Sequence, residues 1–268
     1  MRRFLRFALM CAPAVLVPEV LSAQGNDLTA VGIVAEVKGK WSRVRDKKLL
    51  DVSDEIFPGT TVRSEASTAS SIKVAMFDGS VWNKVCSIQA PCNGSYAIPS
   101  PPQPERGFLA FFSTYFTARK RVPVIFTASR GVGRNGPQEE VLTVSRGAID
   151  LSAALEGVAS GRWRVTLSDP GRPRHSGLTR TVDWPSAATL QIGSRAPGIY
   201  ALDLQSETGE TLGPPAAILL VDAQSGSGAR DEFAKAKELA ASWRGVDAAA
   251  IRAFLVQALY AIELEAKR

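Results

Sequence analysis

The sequence predicts a mainly β protein with added helices: an antiparallel β unit, a linker helix, an immunoglobulin-like β-sandwich and a C-terminal α-hairpin. Three observations lead there. Short apolar runs between Gly, Pro and Asp turns occupy residues 27–98 and 122–223. A proline cluster at residues 99–104 separates the two stretches. Beyond residue 229 the apolar spacing changes from strand-like to helical.

The 268 residues are 45% apolar and 22% charged, which is ordinary for a globular chain and excludes disorder, collagen-like repeats and a disulfide-dense miniprotein. After the first residues no run approaches the ~20 apolar residues of a membrane span, so a multi-span protein is excluded as well.

Residues 1–23 read as a secretory signal. Arg2, Arg3 and Arg6 precede a short apolar run at 7–17, and Ala23 supplies the small residue at the expected cut. A retained anchor is the alternative, but the run is well below spanning length. Cys11 lies inside the apolar run and follows Met10, which argues against a lipoprotein. Cleavage after Ala23 leaves 245 residues and removes three arginines with Glu19, taking the charge from +6 to +4. The expected location is therefore periplasmic or secreted, and so slight a basic excess gives no reason to expect a nucleic-acid partner.

Export bears on the two remaining cysteines. Cys86 and Cys92 flank a Pro-containing loop, and in an oxidising compartment we expect a small disulfide there rather than two free thiols. His175 is the sole histidine, so a soft metal site lacks ligands.

Residues 27–98 are written in strands. Pro58-Gly59 marks a turn, and Asp78-Gly79 is a two-residue hairpin signal between apolar strands. Val37, Gly39 and Trp41 stand at alternate positions; Asp54-Glu55-Ile56 precedes Gly59 and Val62; Ile72, Val74 and Met76 lead to Asp78-Gly79-Ser80. This ordered series resembles the FecR-like periplasmic domain over roughly a fifth of the chain. That family's best-known members sense an outer-membrane receptor and signal through the inner membrane to a sigma factor. The resemblance implies a periplasmic interaction module. A cleavable signal stands here in place of the cytoplasmic segment and spanning helix of those members.

Residues 99–121 combine a stiff proline linker with an aromatic amphipathic helix bearing Phe108, Phe112 and Tyr115 and ending in Arg119, Lys120 and Arg121. The preferred reading packs this helix between the β units; contact with a membrane surface is the alternative. The loop at 131–136 matches G-x-G-x-x-G, but Pro137 and another strand-like run follow where a dinucleotide loop would open a helix, so no cofactor is expected.

From residue 122 to 223, Trp163, Val165 and Leu167 alternate, Leu190 and Ile192 form a short run, and Pro197-Gly198-Ile199-Tyr200 leads into another strand, a phrase resembling those of extracytoplasmic β-sandwich modules. His175 sits among Arg172 and Arg174 with no carboxylate beside it in sequence, and reads as an exposed loop residue. Residues 224–228 read as a flexible joint before a hairpin over 229–268. Its first helix carries Phe233, Ala236, Leu239, Ala240 and Trp243, and its second carries Ile251, Leu255, Leu259 and Ile262 after the cap Asp247. Docking of these stripes on the chain is preferred. Otherwise Ile251, Leu255 and Leu259, with the linker aromatics, are the candidate interaction surface.

No nucleophile elbow, zinc-protease motif or phosphate-loop lysine occurs, and Glu139 and Glu140 adjoin too closely to form an acid/base pair on one strand face. The expectation is a noncatalytic interaction or sensory module for a protein partner or ligand of the cell envelope, with no catalytic, metal or cofactor residues. A carboxylate-dependent enzyme acting on envelope glycans is the alternative.

Overall fold

The computed structural model describes residues 30–65, 69–100, 136–170 and 177–267. The segment expected to direct export, the aromatic stretch with Phe108, Phe112 and Tyr115, loop residues 131–135 and His175 lie outside the described residues. Among those described, the chain is mainly β with two helices.

The N-terminal unit contains β1 (Gly32–Lys38), β2 (Trp41–Arg43), β3 (Glu55–Ile56), β4 (Thr61–Ser64), β5 (Ser70–Met76), β6 (Val81–Cys86) and β7 (Ser95–Ala97). They form two antiparallel sheets, in the orders β3-β1-β5-β6 and β2-β4-β7. Strand β5 shows why the pattern folds this way. Its period of two sends Ile72, Val74 and Met76 into a core with Trp41, Ile56 and Val62. Ala75, and Phe77 just past the strand, join a different core. Asp78-Gly79 lies in the β5–β6 hairpin turn, but the loop has three residues rather than two, Phe77 to Gly79, because the Met76 amide donates to the Ser80 carbonyl; Gly79 takes φ 87° and the Asp78 carboxylate accepts from the Ser80 amide at 2.9 Å.

The second unit contains β8 (Glu140–Thr143), β9 (Ala148–Asp150), β10 (Gly161–Ser168), β11 (Leu178–Trp184), β12 (Thr189–Gln191), β13 (Gly198–Gln205) and β14 (Ala216–Val221). A five-stranded sheet runs β11-β10-β13-β14-β8, with β14 and β8 parallel, and a β12-β9 ribbon lies apart from it. Ile149, Leu151, Leu155 and Leu190 pack against Val165, Leu167, Leu202 and Ile218 to form this unit's own core. Strand β14 is buried along its whole length, because its alternate residues serve two cores. That explains its unbroken apolar run.

Helices α1 (Gly226–Ser242) and α2 (Ala248–Ala266) follow. The expected flexible joint is corrected here: helix α1 already begins at Gly226. A Cβ there would come within 2.5 Å of Thr143 Oγ1, so the glycine permits a close approach of helix to strand rather than mobility. Asp247 caps α2 as expected, its carboxylate accepting from the Ala249 amide at 2.7 Å.

The hairpin docks inside the chain, between the two β units. One core joins Ile33, Ala75 and Phe77 from the first unit with Val141, Ala201 and Leu219 from the second, and places Phe233, Trp243, Phe254 and Leu259 of the helical region between them. The Trp243 indole N–H donates to the Met76 carbonyl at 2.8 Å, and the ring meets Phe254 edge-on at 4.6 Å. Helix α2 departs from the single-stripe expectation. Phe254, Val256, Ala258 and Ala261 are fully buried besides Leu259, because a helix between two sheets has apolar neighbours on more than one side.

Truncating the centre of this shared core should destabilise both units together. Phe254→Ala is expected to cost about 3–5 kcal/mol in chemical denaturation, with amide exchange rising in β5 and β14 alike. Faster exchange confined to the helices would contradict a shared core.

Candidate interaction surface

Where apolar side chains remain outside matters, since burial is the rule for large aliphatics clustered in sequence. Among the described residues, Val44, Leu49, Val52, Val85 and Ile88 are the exposed large aliphatics, and all five belong to the N-terminal β unit. The sequence-derived candidates on α2 go elsewhere: Leu259 is wholly buried in the central core, while Ile251 and Leu255 pack half-buried against it. Phe108, Phe112 and Tyr115 lie outside the described residues.

Two of the exposed aliphatics surround the disulfide. Cys86 and Cys92 are bonded, with Cα atoms 5.3 Å apart. Cys86 ends β6 with its side chain in the N-terminal core. Within the closed loop, the Ser87 amide donates to the Ala90 carbonyl and the Ala90 amide donates to Ser87 Oγ, both at 3.0 Å. The crosslink and the two hydrogen bonds hold the turn in one shape, and Ile88 projects from it with 82% of its surface exposed. Val85, immediately before the crosslinked Cys86 in β6, is also exposed. Strand β6 lies at the end of its sheet, and no described strand pairs with its outer edge. Such an edge offers backbone donors and acceptors to an incoming strand. Lys84 is fixed nearby, its ammonium 4.3 Å from the centre of the Tyr96 ring.

The carboxylates take structural positions. Glu139 receives the Arg252 guanidinium at 2.6 Å, with both side chains buried, and Arg252 also donates to the Pro215 carbonyl. Glu140 pairs with Lys237. The adjacent acids thus serve different helices. Asp203 differs: one of its carboxylate oxygens is buried without a hydrogen-bond partner among the described residues, and burial pushes its carboxyl up, against a smaller opposing effect of the Leu204 amide. Burial likewise pushes the Tyr260 and Tyr200 phenols up, with the carboxylates Asp169 and Glu263 adding to it.

A small cleft of about 50 Å³ opens where β13, β14 and the ends of both helices meet, lined in part by Gly198, Asp222, Ser225, Glu263 and Lys267. Lys267 and Glu263 pair at 2.6 Å along its wall. Its volume is far below the ~300 Å³ at which small-molecule sites begin. Among the described residues no three His, Cys, Asp or Glu side chains gather as metal ligands, and no helix is long and apolar enough to cross a membrane.

No family model, curated protein or solved structure matches this chain.

Sequence reasoning placed the disulfide but overlooked the residue it displays. The signal was available, since Ile88 is the only large apolar residue between the two cysteines. The exposure of Val44, Leu49 and Val52 had no comparable signal, because neighbouring Leu50 is buried.

Two outcomes follow from these groups. Replacing both Cys86 and Cys92 by Ser should lower stability by about 2 kcal/mol, the loop-closure effect of so short a ring, read from the denaturant midpoint. The raised Asp203 carboxyl contributes stability that is full below the ordinary aspartate range and is lost as pH climbs through the folded-state value. Asp203→Asn cannot ionise, so its urea midpoint should gain on wild type as pH rises from about 3 to about 7. A constant difference across that range would count against the assignment.

Proposed function

We propose that this chain is a noncatalytic periplasmic module that binds a protein partner of the cell envelope through its N-terminal β unit, in an interaction or sensory role. The observation that carries this reading is the pairing of a displayed aliphatic with an open strand edge: Ile88 on the pinned loop, Val85 beside it, and β6 unpaired on its outer side among the described strands. An extended segment of a partner can add to β6 by backbone hydrogen bonds while alternate side chains meet Val85 and Ile88. Because the loop is already ordered, binding sacrifices little further conformational freedom there.

The export signal and the resemblance to the FecR-like domain in residues 27–98 support the same reading, and the disulfide is compatible with an extracytoplasmic location. The resemblance of the second unit to an immunoglobulin-like sandwich would make it a supporting module, joined to the first by the helical hairpin.

A photoreactive amino acid at Ile88, activated in intact envelopes, should yield a discrete crosslinked protein that the same probe at exposed Gln191 does not. Ile88→Asp should reduce capture by a probe at Val85 by about tenfold or more, the effect of a charge placed in an apolar contact. Equal labelling from both positions, or a purified chain that turns over envelope glycan and loses that activity in Asp203→Asn, would replace this reading.

A further inference from the structure

Of the described strands that end a sheet, only β6 and β11 are longer than four residues. Edge β11 is closed at one end by its own chain: the Asp183 carbonyl accepts from the Ala187 amide at 2.6 Å and from the Ser186 hydroxyl at 3.1 Å. Edge β6 has none of the features that usually prevent pairing. It contains no proline, its register against β5 runs without a bulge, and its one charged side chain, Lys84, lies over the Tyr96 ring of β7.

One bond sets the direction of the backbone groups along β6. The Met76 amide donates to the Ser80 carbonyl at 2.9 Å, and antiparallel pairing alternates from there. Trp82, Lys84 and Cys86 therefore bond to β5, while the amides and carbonyls of Val81, Asn83 and Val85 face the open side. Side chains alternate too. Trp82 and Cys86 join the N-terminal core, whereas Val81 packs against the central core and Val85, on the same face as Val81, is 63% exposed.

This edge is complementary to itself about Asn83. A second β6 laid antiparallel about that residue sets Val81 of each copy opposite Val85 of the other, Asn83 opposite Asn83, and Trp82 opposite Lys84. Aliphatic meets aliphatic, amide meets amide, and the cation stands beside an aromatic ring. Neighbouring registers lack this match. An axis at Lys84 would set two ammonium groups directly opposite each other, and an axis at Trp82 would carry Val85 past the strand to Gly79.

We propose that the occupant of the β6 edge is a second copy of this chain, paired antiparallel about Asn83 so that the β3-β1-β5-β6 sheets of the two copies become one. This inference rests on the strand addition at β6 proposed above and names its occupant. The same register brings Ile88 of each copy beside the β5–β6 turn of the other, so a closed twofold dimer covers both displayed aliphatics. One strand pair is a small interface, below the ~1,200 Å² of standard complexes, and the dimer is correspondingly weak.

Sedimentation equilibrium of the full chain from about 1 to about 100 µM should show monomer and dimer in exchange, with Kd on the order of 10 µM. Asn83 is exposed, so substitutions there leave the fold intact. Asn83→Asp and Asn83→Lys each place like charges opposite one another on the axis and should weaken the dimer several-fold; an equimolar mixture should restore it as a mixed dimer. With Cys86 and Cys92 bonded, a Cys11→Ser background leaves no other free thiol. In it, Asn83→Cys should oxidise to a disulfide between copies, as paired Cα atoms about 5.5 Å apart permit, and Gln191→Cys should not. A chain that stays monomeric throughout that range, a dimer indifferent to both charges, or a mixture no stronger than either variant alone would overturn the proposal. If the chain is monomeric while a probe at Ile88 captures a different protein, the edge serves that protein and only the self-pairing falls. If probes at Ile88 and Val85 label nothing, the strand addition falls with it.

Discussion

The packing of Trp243 and Phe254 between two β-sheets is the constraint on which the rest of this molecule depends. Each sheet has one apolar face closed within its own unit and a second that is apolar over only part of its length. Neither unit can bury that second face alone. The helical hairpin covers both at once, and the hydrogen bond from the Trp243 indole to the Met76 carbonyl joins residues 167 positions apart in sequence. Burying an indole without satisfying its N–H would be costly, so this bond also fixes where the tryptophan can sit.

Charge fixes the same joint in a different way. Arg252 and Glu139 are both removed from water, as are parts of Lys237 and Glu140. Buried ion pairs add little net stability against an apolar alternative, yet losing one partner leaves an uncompensated charge. Their effect here is positional: Glu139 aligns α2 and Glu140 aligns α1 on the β8 end of the five-stranded sheet. Two adjacent acids that would be an unlikely catalytic pair are well suited to holding two helices in register.

Once the hairpin lies inside, its stripes no longer provide a binding surface. Among the described residues, the large aliphatics that stay outside are on the first unit, in the connection between β2 and β3 and at or just before the loop closed by Cys86 and Cys92. Both are rigid for reasons visible in the chain: one is tied by ion pairs and anchored by Leu50, the other by a covalent crosslink. Rigid display of an aliphatic side chain is unfavourable for an isolated protein, and it is consistent with surfaces that are covered in use.

The sequence by itself determined what depends on neighbouring residues. The period-two alternation of β5, the Asp78-Gly79 turn, the Asp247 cap and the close cysteine pair could all be read directly, because each is enforced by local sterics or hydrogen bonding within a few residues. It also gave the mainly β class and the terminal helices, through the change of apolar period. What the tertiary structure alone decided is which apolar face meets which. Gly226 reads as part of a flexible linker until Thr143 is found against it. Ile251, Leu255 and Leu259 read as a single stripe until a second sheet makes Phe254 the centre of α2. Leu49 and Leu50 are indistinguishable in sequence, yet one is buried and the other exposed. These outcomes depend on contacts between residues distant along the chain, and apolar attraction carries no direction of its own; only the assembled sheets and helices choose its partners.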